Sequence, residues 1–160
     1  MAQSKIRTDY AHAALQRLED SRLLIESRLY GGAIYYSGLS AEAMIKAFIE
    51  GNSGEIKGHN LVRLAQHANF ARRLKRDVRD KVNAAISEAG PMWRNLFRYC
   101  SHDDLDRMAR EWRIRFEVES KLIYYADLDA SGLRLWSERM YNFASIVVQE
   151  GNLLWQSKKH

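Results

Sequence analysis

Residues 94–102 carry the side-chain types that proton transfer at a phosphate group would require. Arg94, Asn95, Arg98 and His102 all lie in this short segment. A histidine exchanges protons near neutral pH, and a guanidinium stabilises negative charge that develops in a transition state. These four residues are the candidate catalytic residues. The opposing interpretation makes His102 a turn residue and pairs the arginines with nearby acids, namely Asp103, Asp104 and Asp106.

A dense basic stretch between residues 72 and 81 is a candidate for binding nucleic acid. It holds six basic residues against Asp77 and Asp80, so its formal charge is six minus two, or +4. Such a helix face can contact a phosphate backbone, or it can be an ordinary solvated surface. The candidate binding residues are Arg72, Arg73, Lys75, Arg76 and Arg79.

Two other chemistries have weaker support in the same region. Cys100 stands two residues before His102, but side chains this close in one turn rarely face each other, and nothing else activates the thiol. The His102-Asp103 pair is similar to the metal-binding dipeptide of HD phosphohydrolases, yet that family's other ligands are missing at their usual spacing. The conceivable further ligands are Asp104, Asp106, His59 and His67. We therefore expect no metal and no cofactor.

Composition indicates one folded domain over residues 1–160. The chain has 46% hydrophobic and 28% charged residues, one proline and nine glycines, which is typical of a globular protein. The single cysteine excludes an internal disulfide, and no apolar run is long enough for a membrane span, so we expect a cytoplasmic location. A net charge of +5, with arginine supplying 17 of 25 basic residues, suits a polyanionic partner or simply solubility.

Apolar residues recur every three or four positions through most of the chain, which predicts helices. We expect the first to run from a cap at Thr8 or Asp9 to about Tyr30, with Gly31-Gly32 as a break. A second helix, rich in small residues and therefore central, should follow. The expected bounds are 33–50 for this second helix, a short third helix capped by Asn60, and a fourth over about 74–89 that ends at Gly90-Pro91.

The C-terminal part has a different pattern. We expect a short helix over 93–99 and a polar turn over 101–106 that caps another helix through Asp103 or Asp104. Polar and apolar residues then alternate over 113–119, and a turn at Glu119-Ser120 leads to 122–125, which predicts a small β-hairpin. The last helix, from about 132 to 156, should close the core. Its Trp136, Tyr141 and Trp155 are the candidate dimer surface.

One segment resembles a known family. Residues 30–47 read YGGAIYYSGLSAEAMIKA, and residues 58–64 read GHNLVRL. This combination of a Tyr/Ala/Glu/Lys helix with a Gly-His-Asn-Leu turn resembles the HEPN superfamily (higher eukaryotes and prokaryotes nucleotide-binding). The likeness covers roughly residues 9–99, and residues 101–132 look like an insertion before the closing helix.

The resemblance implies an all-α, up-and-down bundle of four to five helices that often dimerises. It also implies either a metal-independent endoribonuclease or a non-catalytic interaction and nucleotide-binding module, for example in a prokaryotic defence or toxin–antitoxin system. In nuclease members an Arg and a His, four to six residues apart, lie near the dimer interface. Here Arg94, which Asn95 follows, is separated from His102 by seven residues, and Arg98 is separated from it by three. Neither spacing matches that pattern.

The resulting hypothesis is a homodimer that binds RNA or a nucleotide. In its catalytic form, His102 would exchange a proton with an RNA 2′-hydroxyl or the leaving oxygen, while Arg94 or Arg98 would stabilise the transition state. The alternative is a non-catalytic dimerisation module, with or without a protein partner, whose Arg-His site is degenerate. His59 is expected to have a structural role in the turn.

Overall fold

The computed structural model describes residues 2–49 and 58–157, and the side chains from residue 9 onward within them. In this part of the chain the order is helix α1 (Ala2–Glu26), α2 (Tyr30–Lys46), α3 (Leu61–His67), α4 (Phe70–Arg73) and α5 (Arg76–Met92). A 3₁₀ turn (Asn95–Tyr99) and α6 (His102–Glu111) follow, then strands β1 (Arg115–Val118) and β2 (Lys121–Tyr124), a second 3₁₀ turn (Tyr125–Asp127) and α7 (Gly132–Ser157).

The four long helices α1, α2, α5 and α7 form the bundle, and α2 lies at its centre between α1 and α7. The prediction of an all-α bundle with a small hairpin before the last helix is confirmed. The small residues of α2 explain its position, because they let neighbouring elements approach its backbone closely. Gly38 is the clearest case: an added Cβ would lie 2.1 Å from the indole of Trp93.

The boundary between α1 and α2 differs from the prediction. The first helix begins at Ala2, before the expected cap at Thr8 or Asp9, and ends at Glu26. Arg28 adopts a left-handed conformation (φ 61°), and the amide of Leu29 donates to the carbonyl of Leu24 at 2.8 Å. This is a Schellman ending that needs no glycine. Gly31-Gly32 therefore stands inside the first turn of α2.

The end of α5 also differs from the prediction. We expected Gly90-Pro91 to stop this helix, but it continues to Met92. Proline disfavours a helical residue before it through contact with that residue's Cβ, and Gly90 has none. Pro91 lacks an N–H and so removes one helical hydrogen bond, but only Met92 follows it before the helix ends. The expected cap of α3 is confirmed, because the Asn60 side chain accepts from the amide of Arg63 at 2.9 Å.

The predicted hairpin is confirmed, with β1 and β2 antiparallel and Glu119 and Ser120 forming the turn at φ 49° and 64°. The polar segment before it was assigned wrongly as a turn over 101–106. Residues 102–111 form α6, and its cap is Ser101 rather than Asp103 or Asp104. Ser101 and Asp104 form a reciprocal capping box, which satisfies two backbone amides at the start of the helix.

Part of the expected dimer surface is buried in the core of the chain. Trp136 is fully buried and packs edge-on against Phe97 and Tyr125. Trp155 is half-buried and packs against Phe48 of the same chain, while Tyr141 is half-buried. The assignment of Trp136 to a subunit interface was therefore wrong, since its ring already fills this chain's own core.

Candidate active site

Two buried aromatic residues fix the backbone of the candidate segment. Trp93 is 1% exposed and its indole N–H donates to the carbonyl of Tyr35 at 3.1 Å. Phe97 is buried and stacks on Trp112, with ring centroids 5.8 Å apart. Four of the residues between and after these two buried side chains are exposed to solvent. They are Arg94, Leu96, Arg98 and Tyr99.

Both candidate arginines are held by neutral groups. Arg94 Nη1 donates to the carbonyls of Gly90 (2.8 Å) and Trp93 (2.7 Å), and its guanidinium lies 5.4 Å from the ring of Trp112. Arg98 lies over the ring of Tyr99 at 4.5 Å. Neither arginine forms an ion pair with any residue that the structure describes.

The nearby acids have other partners. Asp104 accepts from Ser101 and from Arg107, and the Ser101 hydrogen bonds, reinforced by Arg107, hold the pKa of this carboxyl below its usual range. Arg110, followed by the hydroxyl of Tyr125, lowers the pKa of Asp106 in the same way. The pairing of the candidate arginines with Asp104 or Asp106 is therefore wrong, because those carboxylates are occupied. Arg94 and Arg98 keep donors for an external anion.

His102 stands at the first turn of α6 and contacts a distant part of the chain. Its Nε2 accepts a long hydrogen bond, 3.4 Å, from the amide of Gly31 in the first turn of α2. An added Cβ on Gly31 would lie 3.0 Å from the imidazole and 2.9 Å from Leu105. Within the described chain, His102 has no hydrogen bond to Arg94, Asn95 or Arg98. Arg94, Arg98 and His102 are thus all exposed, but they form no closed Arg–His pair within the described residues.

Cys100 lacks the environment of a nucleophile. Its Sγ donates weakly to the carbonyl of Leu96 at 3.6 Å and lies 3.9 Å from the sulfur of Met108. Burial, reinforced by the charge of Asp104, raises the pKa of the thiol. A thiol nucleophile requires a lowered pKa, so this geometry gives the cysteine no catalytic support.

A buried carboxylate on α2 binds both Lys46 of the same helix and His59 of the turn before α3. Glu42 is 3% exposed, and the ammonium of Lys46 lies one helical turn away from it. It also binds His59 Nδ1 at 2.9 Å, and this imidazole packs edge-on against Trp93. The structural role expected for His59 is confirmed, since it ties the turn before α3 to the middle of α2.

The basic stretch does not occupy one helix face. Arg72 and Arg73 belong to α4, Lys75 lies in the link, and Arg76 and Arg79 belong to α5. Arg73 Nε donates to the carbonyl of Ala68, and Arg79 Nη2 donates to that of Leu74. Two of the five candidate binding residues therefore also cap the ends of short helices.

The metal-site alternative at His102-Asp103 gains no support from the geometry. Across residues 2–49 and 58–157, no group of three His, Cys, Asp or Glu side chains is placed to hold a metal ion. In the same ranges, no helix combines the length and apolarity that a bilayer crossing demands.

Comparison with known families identifies the fold. The sequence matches the HEPN domain over residues 8–121, which is more than two thirds of the chain. This chain belongs to the HEPN family. The HEPN match extends past Tyr99 through α6 and β1, while α7 lies beyond it. Neither curated proteins nor solved structures gave a significant match.

HEPN membership makes this chain a helical domain of the kind associated with nucleotides and RNA, and HEPN domains commonly dimerise. The aromatic and aliphatic residues around the candidate site could not be singled out from the sequence. Leu96, Tyr99 and Trp112 are exposed apolar residues in an otherwise polar neighbourhood. The contact between His102 and Gly31 joins residues 71 positions apart, so no local sequence pattern predicts it.

Proposed function

We propose that this HEPN protein is a homodimeric, metal-independent endoribonuclease whose site is the surface formed by Arg94, Asn95, Arg98 and His102. The observation that carries the proposal is a pair of exposed guanidinium groups that have no carboxylate partner among the described residues, in one short segment with an exposed histidine. Unpaired arginines bind phosphate bidentately and stabilise the additional charge of a phosphorane-like transition state.

The chemistry follows from these groups. His102 takes the proton of an RNA 2′-hydroxyl, and the 2′-oxygen forms a bond to the adjacent phosphorus. The bond from phosphorus to the 5′-oxygen breaks, and that oxygen takes a proton from water as it leaves. The imidazolium of His102 then returns its proton to the solvent. The products are a 2′,3′-cyclic phosphate and a 5′-hydroxyl end. DNA lacks the attacking hydroxyl and is not a substrate.

Dimerisation would complete this site. Tyr99 is 77% exposed, and Leu96 and Trp112 beside it are 46% and 40% exposed. Exposed aromatic and aliphatic side chains grouped in this way are typical of protein interfaces. A two-fold contact here would place the Arg94–His102 segments of two subunits next to each other, so that an arginine of one could meet the histidine of the other.

The test is cleavage of a mixed RNA pool in the presence of EDTA. Wild type should cleave it, His102→Ala should lose at least about a hundredfold in rate, and Arg94→Gln with Arg98→Gln should lose comparably. His67→Ala, an exposed histidine on α3, is the matched control and should retain wild-type activity. An RNA with a 2′-deoxy substitution at the cleaved position should resist. Folded dimer that leaves every RNA intact would contradict the proposal.

A non-catalytic HEPN interaction module is the second candidate. The observation in its favour is that His102 Nε2 already accepts from the amide of Gly31 and has no hydrogen bond to the candidate arginines. In this role the surface around Tyr99 would bind another protein or only a second copy. Either role would fit a prokaryotic defence or toxin–antitoxin system in the cytoplasm, with RNA or a nucleotide as the ligand.

Growth measurements separate the two candidates in cells. A ribonuclease should arrest growth when it is expressed alone, and His102→Ala should relieve that arrest at equal protein level. A module without activity should leave growth unchanged in both forms.

A further inference from the structure

A cleft between α3 and α5 has the chemistry of an anion-binding site. Its volume is about 500 Å³, within the range of about 300–1,000 Å³ that small-ligand sites occupy. Four apolar residues line it together with two arginines, three side-chain amides and one hydroxyl. The polar lining residues are Arg72, Arg79, Gln66, Asn69, Asn83 and Ser87.

None of the described residues that line the cleft is acidic, although acids are frequent on the same helix. Three other clefts of similar size on the described surface each include at least one acidic residue: Glu88 in two of them, and Asp77 with Glu150 in the third. Among its described lining residues, this cleft therefore carries two positive charges and no negative one. Such a surface attracts anions and concentrates them.

The two arginines are arranged differently and complement each other. Arg79 is half-buried, and its donation from Nη2 to the Leu74 carbonyl fixes the guanidinium in place. Its Nε is buried without a hydrogen-bond partner among the described residues. Arg72 is exposed and forms no ion pair with a described residue. The guanidinium of Arg79 is thus preorganised at the side of the cleft, whereas that of Arg72 can move to contact a bound ligand.

The cleft divides the basic stretch into parts with different surroundings. Arg72 and Arg79 line this cleft, whereas Arg73 and Lys75 line a neighbouring one that contains Asp77 and Glu150. Arg76 lines neither. A long phosphodiester backbone would need a continuous basic surface, but a terminal phosphate needs one concave site with several donors.

The geometry points to this cleft as a binding site for a phosphate monoester. Arg72 and Arg79 bind the dianionic phosphate, the amides of Asn69 and Asn83 add neutral donors, and the apolar floor receives the rest of the ligand. The phosphate can belong to a small free molecule or to the 5′ end of an RNA. The site uses none of the residues between Arg94 and His102, so its existence does not depend on the proposed ribonuclease activity.

Isothermal titration with two probes distinguishes these sources. Glycerol 3-phosphate represents a free phosphomonoester. A short 2′-O-methyl RNA with a 5′-phosphate, compared with the same oligonucleotide ending in a 5′-hydroxyl, represents an RNA end and lacks the 2′-hydroxyl that the proposed ribonuclease would need for cleavage. Saturable binding of glycerol 3-phosphate supports a small-molecule site. Binding only of the 5′-phosphorylated RNA supports recognition of RNA ends. No saturable binding of either phosphomonoester by folded protein overturns the proposal.

Charge-matched variants locate the binding. Arg72→Gln and Arg79→Gln should each weaken affinity roughly tenfold, or about 1.4 kcal/mol, while Arg76→Gln should change it less than about twofold. Arg72 is exposed, so its variant should fold normally even if loss of the Arg79 hydrogen bond to Leu74 destabilises the other. Equal weakening in all three variants would show non-specific attraction and overturn the site. His102→Ala should bind glycerol 3-phosphate as wild type does.

Discussion

Trp93 directly precedes Arg94, and its position depends on the absence of one side chain from α2. The indole occupies the place where a Cβ on Gly38 would stand, at 2.1 Å from that position. Its N–H reaches the Tyr35 carbonyl one turn earlier on the same helix. Trp93 therefore fixes the start of the candidate segment to the central helix α2.

We expect Gly38→Ala to destabilise the protein by on the order of 3 kcal/mol, because a rigid indole cannot move away within a packed core. Urea denaturation followed by circular dichroism measures this change. Gly32→Ala in the same helix is the control. Its added Cβ would meet only the mobile end of Leu24, at 3.3 Å, and the gain in helix propensity offsets that contact. Equal destabilisation by both variants would contradict the close packing of Trp93 against Gly38.

At the residue scale, the sequence indicated which side chains could perform chemistry but not how they are held. The types of Arg94, Arg98 and His102 made them candidates, and their exposure agrees with an accessible surface. Their partners depend on tertiary contacts: Trp112 lies eighteen positions after Arg94, and Gly31 seventy-one before His102. Periodicity and spacing report only on residues that are close in the chain, so these long-range contacts could not be predicted from them.

At the element scale, a polar network holds α6 against the segment after the hairpin. Asp106 accepts from Arg110 Nε and from the Tyr125 hydroxyl, each at 2.9 Å, and Arg110 also donates to the carbonyl of Ala126. The buried ring of Tyr125 then packs on Trp136 of α7. Asp106 thereby links the surface of α6 to the core, and its ionisation should affect stability.

The sign of that effect follows from the lowered pKa of Asp106. Hydrogen bonds from Arg110 and then Tyr125 lower it below the ordinary value of 3.8, so the carboxylate stabilises the folded state above about pH 4. This contribution is lost as pH falls through the folded-state pKa. We expect Asp106→Asn to be less stable than wild type at pH 7 and the difference to shrink below pH 4.

Urea denaturation at a series of pH values between 7 and 3 measures this difference. Asp103→Asn, at an exposed position of the same helix, is the control and should follow wild type throughout. A difference between Asp106→Asn and wild type that stays constant down to pH 3 would show that the charge of Asp106 is not responsible.

Element boundaries show where sequence signals failed and why. Gly31-Gly32 and Gly90-Pro91 predicted helix ends, yet Arg28 ends α1 in a left-handed conformation and α5 runs through Pro91. Close packing gives the glycines another use, because Gly31 makes room for His102 and Leu105. Strong local patterns were reliable, as the hairpin and the Asn60 cap illustrate. Glycine was ambiguous because it permits both turns and close contacts.

At the scale of the whole molecule, two exposed apolar surfaces of the described chain are candidates for the interface of the proposed homodimer. Tyr99 is the most exposed aromatic residue in the described chain. It lies in the candidate segment together with Leu96, and Trp112 contacts Arg94 of that segment. Leu153, 63% exposed, lies at the far end of α7 in a different apolar region beside Leu74. The two surfaces give different predictions for dimerisation.

We expect the double variant Leu96→Ser, Tyr99→Ser to weaken the dimer at least tenfold, about 1.4 kcal/mol, because interface stability concentrates in central apolar residues. Sedimentation velocity over a range of concentrations measures the dissociation constant. Leu153→Ser removes an exposed leucine from the other surface and should leave the dimer intact. Dissociation caused by Leu153→Ser alone would place the interface on α7 instead.

The division between buried anchors and exposed functional groups has an evolutionary consequence. Trp93 and Phe97 hold the backbone of the site, while Arg94, Arg98 and His102 contribute few contacts to the core. Substitutions at exposed positions of this kind usually change stability by less than about 0.5 kcal/mol. A lineage can therefore gain, shift or lose the reactive side chains without endangering the bundle. The altered spacing of the arginines from His102 is the kind of drift that such a scaffold tolerates.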